Sequence, residues 1–232
     1  MTTVLITGSS RGLGLEWVRQ CAARGWRTIA TCRDPEQALD LRTLAAQDPR
    51  VRVDRLDVTA PDQIAALAAA LQGEALDLLI NNAAVYFEHW GRDLIGSIDY
   101  ESWQETLRVN TLGPMRVTEA FLPHLARGNR PLVLTISSDM GSIARIDTPR
   151  NYAYRSSKAA LNAAMHGLAL ELRPLGIGVL LVHPGWVRTR MGGPSAGTMP
   201  EASVAAMLAL VDGFELGMSG AFLRLDGTAL PW

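Results

Sequence analysis

Tyr154 and Lys158 stand four positions apart and could together transfer a proton. Lys158 is the only lysine in the chain, whose other strongly basic side chains are all arginine. On a helix, residues i and i+4 share a face, so the ammonium of Lys158 would lie beside the phenol of Tyr154. A compact positive charge at that place favours the phenolate. The spacing therefore indicates a tyrosine acid–base pair. The alternative is a stray lysine on a solvated helix face of an arginine-rich protein.

A glycine-rich stretch lies close to the start of the chain, in Thr7-Gly8-Ser9-Ser10-Arg11-Gly12-Leu13-Gly14. It follows a short apolar run, Val4-Leu5-Ile6, and precedes a segment with helical periodicity. Glycines allow the backbone to approach a pyrophosphate closely, and the N-terminus of the following helix offers N–H donors and a partial positive charge. In this context the pattern predicts a dinucleotide-binding loop, with a tight turn that binds no ligand as the alternative.

Short apolar runs alternate with helical segments along the chain, which is typical of a doubly wound α/β fold. Apolar runs predict buried strands at 4–6, 28–31, 51–56, 76–80, 132–136, 178–182 and 221–225. Several of these runs are nearly continuous in apolar character, as expected for a parallel sheet that is covered on both faces. Helical periodicity predicts crossover helices at 13–24, 35–47, 61–72, 100–127, 154–173 and 201–211. We therefore predict an α/β fold with a single Rossmann-type, doubly wound parallel sheet of about seven strands and helices on both faces.

The chain resembles the short-chain dehydrogenase/reductase family, because motifs of that family occur in order along nearly the whole sequence. The glycine loop is combined with Asp57-Val58, Asn81-Asn82-Ala83-Ala84, Asn110, Ser137-Ser138, Tyr154-x-x-x-Lys158 and Pro184-Gly185. Within the family the chain is similar to the small carbonyl-reductase branch that includes sniffer and the bacterial C-factor proteins. Segments 31–35 and 153–158 and the closing Pro231-Trp232 carry that narrower resemblance. Ala84 departs from the family's usual glycine, and the spacing from Ser138 to Tyr154 is a few residues longer than usual.

The resemblance implies hydride transfer between a nicotinamide and a carbonyl carbon, with Ser138, Tyr154, Lys158 and Asn110 as catalytic residues. Ser138 would hold the carbonyl oxygen, and Tyr154 would donate a proton to the developing alkoxide. Lys158 would stabilise the phenolate and hold the nicotinamide ribose. Lowering a tyrosine pKa from ~10 to ~7 requires roughly 4 kcal/mol, which one ammonium and a cationic nicotinamide could supply. Asn110 would bend its helix and hold a water of the proton relay, or else be an ordinary helix-interior asparagine.

The cofactor is predicted from the residues after the second strand. Folds that prefer NAD place an acidic residue there, where this chain has Cys32 followed by Arg33. Arg33, together with Arg11, offers guanidinium groups to a 2′-phosphate, so NADP(H) is the preferred cofactor. Asp34 could instead bind the ribose, which keeps NAD(H) as an alternative. Asp57 would hydrogen-bond the adenine or, alternatively, cap its strand end. Besides Tyr154 and Lys158, the expected cofactor contacts are Gly8, Ser10, Arg11, Gly12, Leu13, Gly14, Arg33, Asp57, Val58, Asn82, Ala83, Ala84, Pro184, Gly185, Val187 and Thr189.

Length and composition predict one NAD(P)-binding Rossmann domain over 1–232, with a short substrate lid around 188–200, where glycine and proline are frequent. Hydrophobic residues make up 48% of the chain, which is ample for a buried core. The formal net charge of −1 argues against nucleic acid or a membrane as a partner. A cytoplasmic location is expected because no signal peptide or membrane span is recognisable. The cysteines and histidines show no metal-ligand spacing, so no metal is expected.

The predicted substrate is a small-molecule carbonyl compound, namely an aldehyde, ketone or quinone that is reduced to an alcohol. Tyr86, Phe87, Trp90, Trp186 and Met191 follow strands at the carboxyl edge of the sheet and could form an apolar wall of its pocket. Ordinary packing is the alternative for these side chains. Assembly as a homodimer or homotetramer is compatible with the resemblance. The alternative function is that of a dinucleotide-binding regulatory or signalling protein of the C-factor type, with little turnover.

Overall fold

The computed structural model describes residues 1–88 and 94–232. Within them, one sheet is formed by β1 (Thr3–Ile6), β2 (Arg27–Cys32), β3 (Val51–Arg55), β4 (Leu78–Asn81), β5 (Leu132–Ile136), β6 (Gly178–Val182) and β7 (Phe222–Leu223). The seven strands lie in the order β3-β2-β1-β4-β5-β6-β7, and each neighbouring pair is parallel. The chain reverses its direction of travel across the sheet between β1 and β4, which is where ligands bind in such folds. The predicted Rossmann-type sheet is confirmed.

Helices cover both faces of the sheet. They are α1 (Gly12–Ala23), α2 (Leu39–Gln47), α3 (Pro61–Ala70), α4 (Tyr100–Leu107), α5 (Gly113–Leu125), α6 (Tyr152–Leu172) and α7 (Pro200–Asp212). Val4 and Ile6 of β1 pack into a core shared with α1, α2 and α7, whereas Leu5 packs into the opposite core with α3, α5 and α6. Burial on both faces explains why these strands have continuous apolar sequences. No helix in the described ranges combines the length and apolar character that crossing a membrane requires.

The helix predicted over 100–127 differs from the observed one. A π-helical turn at Arg108–Leu112 separates α4 from α5. Two consecutive side chains of this turn reach the same residue of α6. Asn110 Nδ2 donates to Ser157 Oγ at 3.1 Å, and Thr111 Oγ1 donates to the Ser157 carbonyl oxygen at 2.8 Å. The turn shifts the apolar spacing along the helix by only one position, which the periodic pattern over 100–127 does not resolve.

Other boundaries differ from the predicted ones by a few residues. Helix α2 begins at Leu39 rather than at Pro35, because the preceding residues form a turn in which the Ala38 N–H donates to the Pro35 carbonyl. Strand β7 is shorter than predicted, since Leu223 also pairs with Ala229 in an isolated antiparallel bridge. These differences leave the carboxyl edge of the sheet where the sequence predicts it.

Candidate active site

Lys158 lies on α6 with its ammonium buried beside Tyr154. The residue is 2% exposed, and its Nζ donates to the Ile136 carbonyl oxygen at 2.8 Å. The same Nζ lies 5.8 Å from the centroid of the Tyr154 ring. Burial lowers the pKa of Lys158 to about 8. The two residues therefore face each other, and the alternative of a lysine on a solvated helix face is wrong.

Ser138 follows β5 and holds its hydroxyl close to the Tyr154 phenol. Burial raises the pKa of Tyr154 to about 12, and the nearby Ser138 hydroxyl acts in the opposite direction by lowering it. The Asp139 carboxylate adds to the rise. The expected lowering of this pKa involved a cationic nicotinamide as well as Lys158. Within the protein itself, desolvation of the phenolate has the larger effect. Tyr154 is therefore protonated at neutral pH, which is the state that a proton donor needs.

Asn110 is fully buried in the π-helical turn, and its side chain fixes the backbone after β4. Its Oδ1 accepts the Val85 N–H at 2.8 Å, and its Nδ2 donates to the Val85 carbonyl oxygen at 2.9 Å. The second Nδ2 hydrogen is used by Ser157. A π-helical turn is present at this residue, and the predicted bend stays a prediction. Both amide hydrogens are engaged, so a relay water could only donate to Oδ1 or bind the backbone.

The glycine loop connects β1 to α1 and is packed too closely for side chains at two positions. Gly8 has φ 70°, and a Cβ there would lie 2.8 Å from Ala83 Cα. A Cβ on Gly14 would collide with the Gly8 carbonyl oxygen and lie 2.6 Å from Asn82 Nδ2. The loop therefore accepts only glycine at these two positions, because its backbone packs directly against itself and against the residues after β4.

Hydrogen bonds to the loop after β4 hold the glycine loop in place. Thr7 Oγ1 accepts the N–H groups of Asn82 and Ala83 at 3.1 and 3.0 Å. Asn82 Nδ2 donates to the carbonyl oxygens of Thr7 and Gly8 at 2.8 and 3.1 Å. No described side chain caps the N-terminus of α1, and its first turn has no acidic residue. Its N–H groups and partial positive charge thus fit the phosphates of a dinucleotide.

The segment predicted as a lid, 188–200, starts beside the glycine loop. Val187 and Thr198 form an isolated parallel bridge that closes the segment at its base, with the Arg188 N–H donating to the Thr198 carbonyl oxygen at 2.8 Å. Thr189 lies against the glycine loop, since a Cβ on Gly12 would be 3.3 Å from Thr189 Cγ2. The start of the segment and the glycine loop are therefore neighbours at the carboxyl edge of the sheet.

Four of the five side chains predicted for an apolar substrate wall lie in the described residues, and their role as a wall stays a prediction. Tyr86 lies edge-on to the Tyr154 ring, with the centroids 5.2 Å apart. Phe87, Trp186 and Met191 are 42%, 60% and 46% exposed, so their side chains are accessible rather than packed in the core. Trp90 lies outside the described residues.

Comparison with known proteins identifies the family. A family model described as short chain dehydrogenase matches residues 2–199. The chain belongs to the short-chain dehydrogenase family. It is an oxidoreductase of that family, as its motifs predict.

Relatives in the short-chain dehydrogenase family place this member near carbonyl reductases. C-signal of Myxococcus xanthus is 45% identical over 157 residues, which cover 68% of this chain and 93% of C-signal. The NADPH-bound carbonyl reductase from chicken fatty liver is 33% identical with a TM-score of 0.93, over 100% of this chain and 99% of that one. The carbonyl reductase Sniffer of D. melanogaster is 32% identical with a TM-score of 0.94, over 100% of both chains. The predicted resemblance to the sniffer and C-factor branch is confirmed.

The structure brings the predicted cofactor positions of this short-chain dehydrogenase to the carboxyl edge of the sheet. They follow β1 (Gly8, Ser10, Arg11, Gly12, Leu13, Gly14), β2 (Arg33), β3 (Asp57, Val58), β4 (Asn82, Ala83, Ala84) and β6 (Pro184, Gly185, Val187, Thr189). Ala84 has no positive φ, so the methyl group that replaces the family's glycine causes no backbone strain there.

The charged positions among them differ in their local contacts. Arg11 and Arg33 are exposed, and neither forms an ion pair with a residue in 1–88 or 94–232. Asp57 Oδ1 accepts the N–H and the hydroxyl of Thr59 at 2.8 and 2.7 Å. Asp57 thus caps the end of its strand, which is the alternative role predicted for it, and adenine binding stays a prediction.

Glu88 is a residue of the site that the sequence motifs did not indicate. This residue is 9% exposed, and its two carboxylate oxygens accept the backbone N–H groups of Ala153 and Tyr154, each at 2.9 Å. Glu88 and Tyr154 are 66 positions apart. No motif in the sequence connects a glutamate after β4 with the start of α6, and only the packing of the two elements shows the contact.

Proposed function

We propose that the protein is an NADP(H)-dependent carbonyl reductase that converts aldehydes, ketones or quinones to alcohols. The proposal rests on one observation: the Ser138 hydroxyl and the buried Lys158 ammonium both lie beside the protonated phenol of Tyr154. It is supported by the likeness to the NADPH-bound carbonyl reductase from chicken fatty liver. A bound nicotinamide would supply the hydride.

The residues of the chain would manage the proton and the developing charge. Ser138 would donate a hydrogen bond to the substrate's carbonyl oxygen and hold it beside Tyr154. Tyr154 would give its phenolic proton to that oxygen as it becomes an alkoxide. Lys158, with its pKa near 8, is mainly an ammonium at pH 7 and would stabilise the phenolate that remains. Burial of the group strengthens this attraction, because the screening by water is reduced.

The carboxyl edge of the sheet beside the glycine loop would hold the dinucleotide. Backbone groups of the glycine loop and the N-terminus of α1 would bind the pyrophosphate. Arg33 and Arg11 would bind the 2′-phosphate of NADP(H), since both guanidinium groups are exposed. NAD(H) remains the alternative, with Asp34 on the ribose. We further propose that segment 188–200 acts as the substrate lid.

The test is the rate of NADPH oxidation with a panel of carbonyl compounds. We expect turnover of apolar aldehydes, ketones or quinones. Tyr154→Phe should lower kcat by at least ~100-fold, the lower end for loss of a general acid, with the NADPH Kd nearly unchanged. Tyr152→Phe is the matched control, because Tyr152 lies on the same helix and stacks on Trp103. A sugar or hydroxy acid turned over far better than every apolar carbonyl would refute the substrate class.

The second candidate is a regulatory protein that binds the dinucleotide and turns over little. The 45% identity to C-signal favours it. Tight NADPH binding without oxidation by any carbonyl of the panel would support this function. Measurable kcat that depends on Tyr154 would support the reductase, because a protein that only binds has no need of the proton donor.

A further inference from the structure

The helix that carries Tyr154 and Lys158 does not cap its own N-terminus. Asn151, at the N-cap position of α6, has a left-handed backbone with φ 56° and makes no capping hydrogen bond to a described residue. Arg150 before it has φ 81°. Consecutive non-glycine residues in this region are unfavourable and persist only where surrounding contacts fix them. The start of α6 must therefore be held by another part of the chain.

Glu88 supplies the missing cap. Its Oε1 accepts the Ala153 N–H and its Oε2 accepts the Tyr154 N–H, both at 2.9 Å. These are charge-assisted hydrogen bonds at the positive end of a helix, where a carboxylate is most stabilising. The carboxylate is thus bound to the peptide N–H of the proposed proton donor itself.

Glu88 belongs to a short segment, residues 85–88, that is fixed at two further points. At its beginning, Asn110 binds both the N–H and the carbonyl oxygen of Val85. In its middle, Tyr86 Oη donates to Asn151 Oδ1 at 2.7 Å, and the Tyr86 ring lies edge-on to Tyr154. Segment 85–88 therefore joins the π-helical turn to the first turn of α6, along the side of the site where Tyr86 faces Tyr154.

We propose that Glu88 is a positioning residue for proton transfer. Its carboxylate fixes the first turn of α6 against segment 85–88 and so sets the direction of the Tyr154 phenol. This inference rests on the proposed function, because it assigns Glu88 a part in the same proton transfer. Glu88 touches no reacting atom, and it acts through the backbone of Tyr154. A shift of the phenol by a fraction of an ångström is enough to slow the transfer markedly.

Glu88→Gln tests the proposal with little change of shape. The substitution replaces one carboxylate oxygen of Glu88, which accepts a hydrogen bond, with an NH₂ group that can only donate and that faces a backbone N–H. It also removes the negative charge of the carboxylate. We expect kcat for a carbonyl to fall about 10-fold, as for loss of a charge-assisted hydrogen bond, and the NADPH Kd to stay within about 2-fold. Glu119→Gln, on the exposed side of α5, is the control and should match wild type.

A double-mutant cycle separates positioning from a general structural effect. If Glu88 acts through the phenol, Glu88→Gln should change the residual rate of Tyr154→Phe by less than about 2-fold, because the group it positions is already gone. An equal fold-loss of kcat in both backgrounds would overturn the proposal. Wild-type kcat in Glu88→Gln alone would do the same.

Amide exchange provides a readout that does not depend on catalysis. In Glu88→Gln, the N–H groups of Ala153 and Tyr154 should exchange about 10-fold faster than in wild type, while amides in the middle of α6 keep their rates. Unchanged exchange at both amides would show that Glu88 does not hold the helix start. This arm remains decisive even if the protein reduces no carbonyl. Should Glu88→Gln fail to fold, Tyr86→Phe provides the alternative test, because it removes the bond from Tyr86 Oη to Asn151. It should give a smaller loss of kcat, and this loss should again be absent from the Tyr154→Phe background. No loss of kcat in Tyr86→Phe would overturn the proposal.

Discussion

Replacing Lys158 with methionine should stabilise the fold while ending catalysis. Burial lowers the pKa of Lys158 from 10.5 to about 8, and each tenfold change in protonation corresponds to about 1.4 kcal/mol. Keeping an ammonium at this place at pH 7 therefore costs about 3 kcal/mol. Methionine has a similar stem and no charge, but it leaves the Ile136 carbonyl oxygen without its partner, at a cost of about 1–2 kcal/mol. The net stabilisation of Lys158→Met at pH 7 is about 1–2 kcal/mol.

This advantage should vanish as the pH rises. The folded pKa of Lys158, about 8, lies below the ordinary value of 10.5, so between these values the folded protein has released a proton that the unfolded chain still holds. The free energy of unfolding of wild type therefore increases with pH through this window, relative to Lys158→Met. The two proteins should be equally stable near pH ~9, and wild type should be more stable at pH ~10.

Urea unfolding of both proteins at neutral and alkaline pH measures the difference, since groups common to both cancel. Carbonyl reduction, assayed on the same samples, should be lost in Lys158→Met. A stability difference that stays constant between pH ~7 and ~10 would refute the reasoning, because it would mean that the Lys158 ammonium is not disfavoured by its surroundings.

The remaining predictions concern the proposed cofactor site. Arg33→Ala should lower kcat/KM with NADPH by at least ~10-fold and leave kcat/KM with NADH nearly unchanged, because only the 2′-phosphate loses a charged partner. Steady-state kinetics with both cofactors measure this. Equal kcat/KM for NADPH and NADH in the wild-type protein would contradict the predicted preference. Gly14→Ala should abolish NADPH binding and lower Tm, because the added methyl group collides with the Gly8 carbonyl oxygen. In thermal unfolding, Gly167→Ala is the control, since nothing lies within 4 Å of its added Cβ; a Gly14→Ala protein with wild-type Tm would contradict the packing argument.

The fold and the centre of the site could be predicted because their signals are local. A strand buried on both faces, such as β6, needs an unbroken apolar run. The pairing of Tyr154 with Lys158 needs only helical spacing. The contacts that hold the site together are non-local. Glu88 reaches α6 from a loop distant in sequence, and nothing in its neighbours indicates a buried carboxylate.

The direction of the Tyr154 pKa could not be predicted from spacing either. The sequence shows that a lysine stands near the phenol, but the opposing effect of desolvation depends on how completely the surrounding elements enclose the group. In the structure, burial is the larger effect for both residues. It raises the pKa of Tyr154 and lowers that of Lys158.

The π-helical turn at Arg108–Leu112 has a consequence for how this chain can change in evolution. Such a turn holds one residue more than the α-helical turn it replaces, so it is equivalent to a single insertion in a continuous helix. Deleting one residue would restore the regular helix, but it would rotate one side of the turn by about 100° about the axis. Asn110 and Thr111 could then no longer both reach Ser157. An alignment of relatives that keep this asparagine should therefore show no one-residue gap here, and a gap should appear only together with its loss.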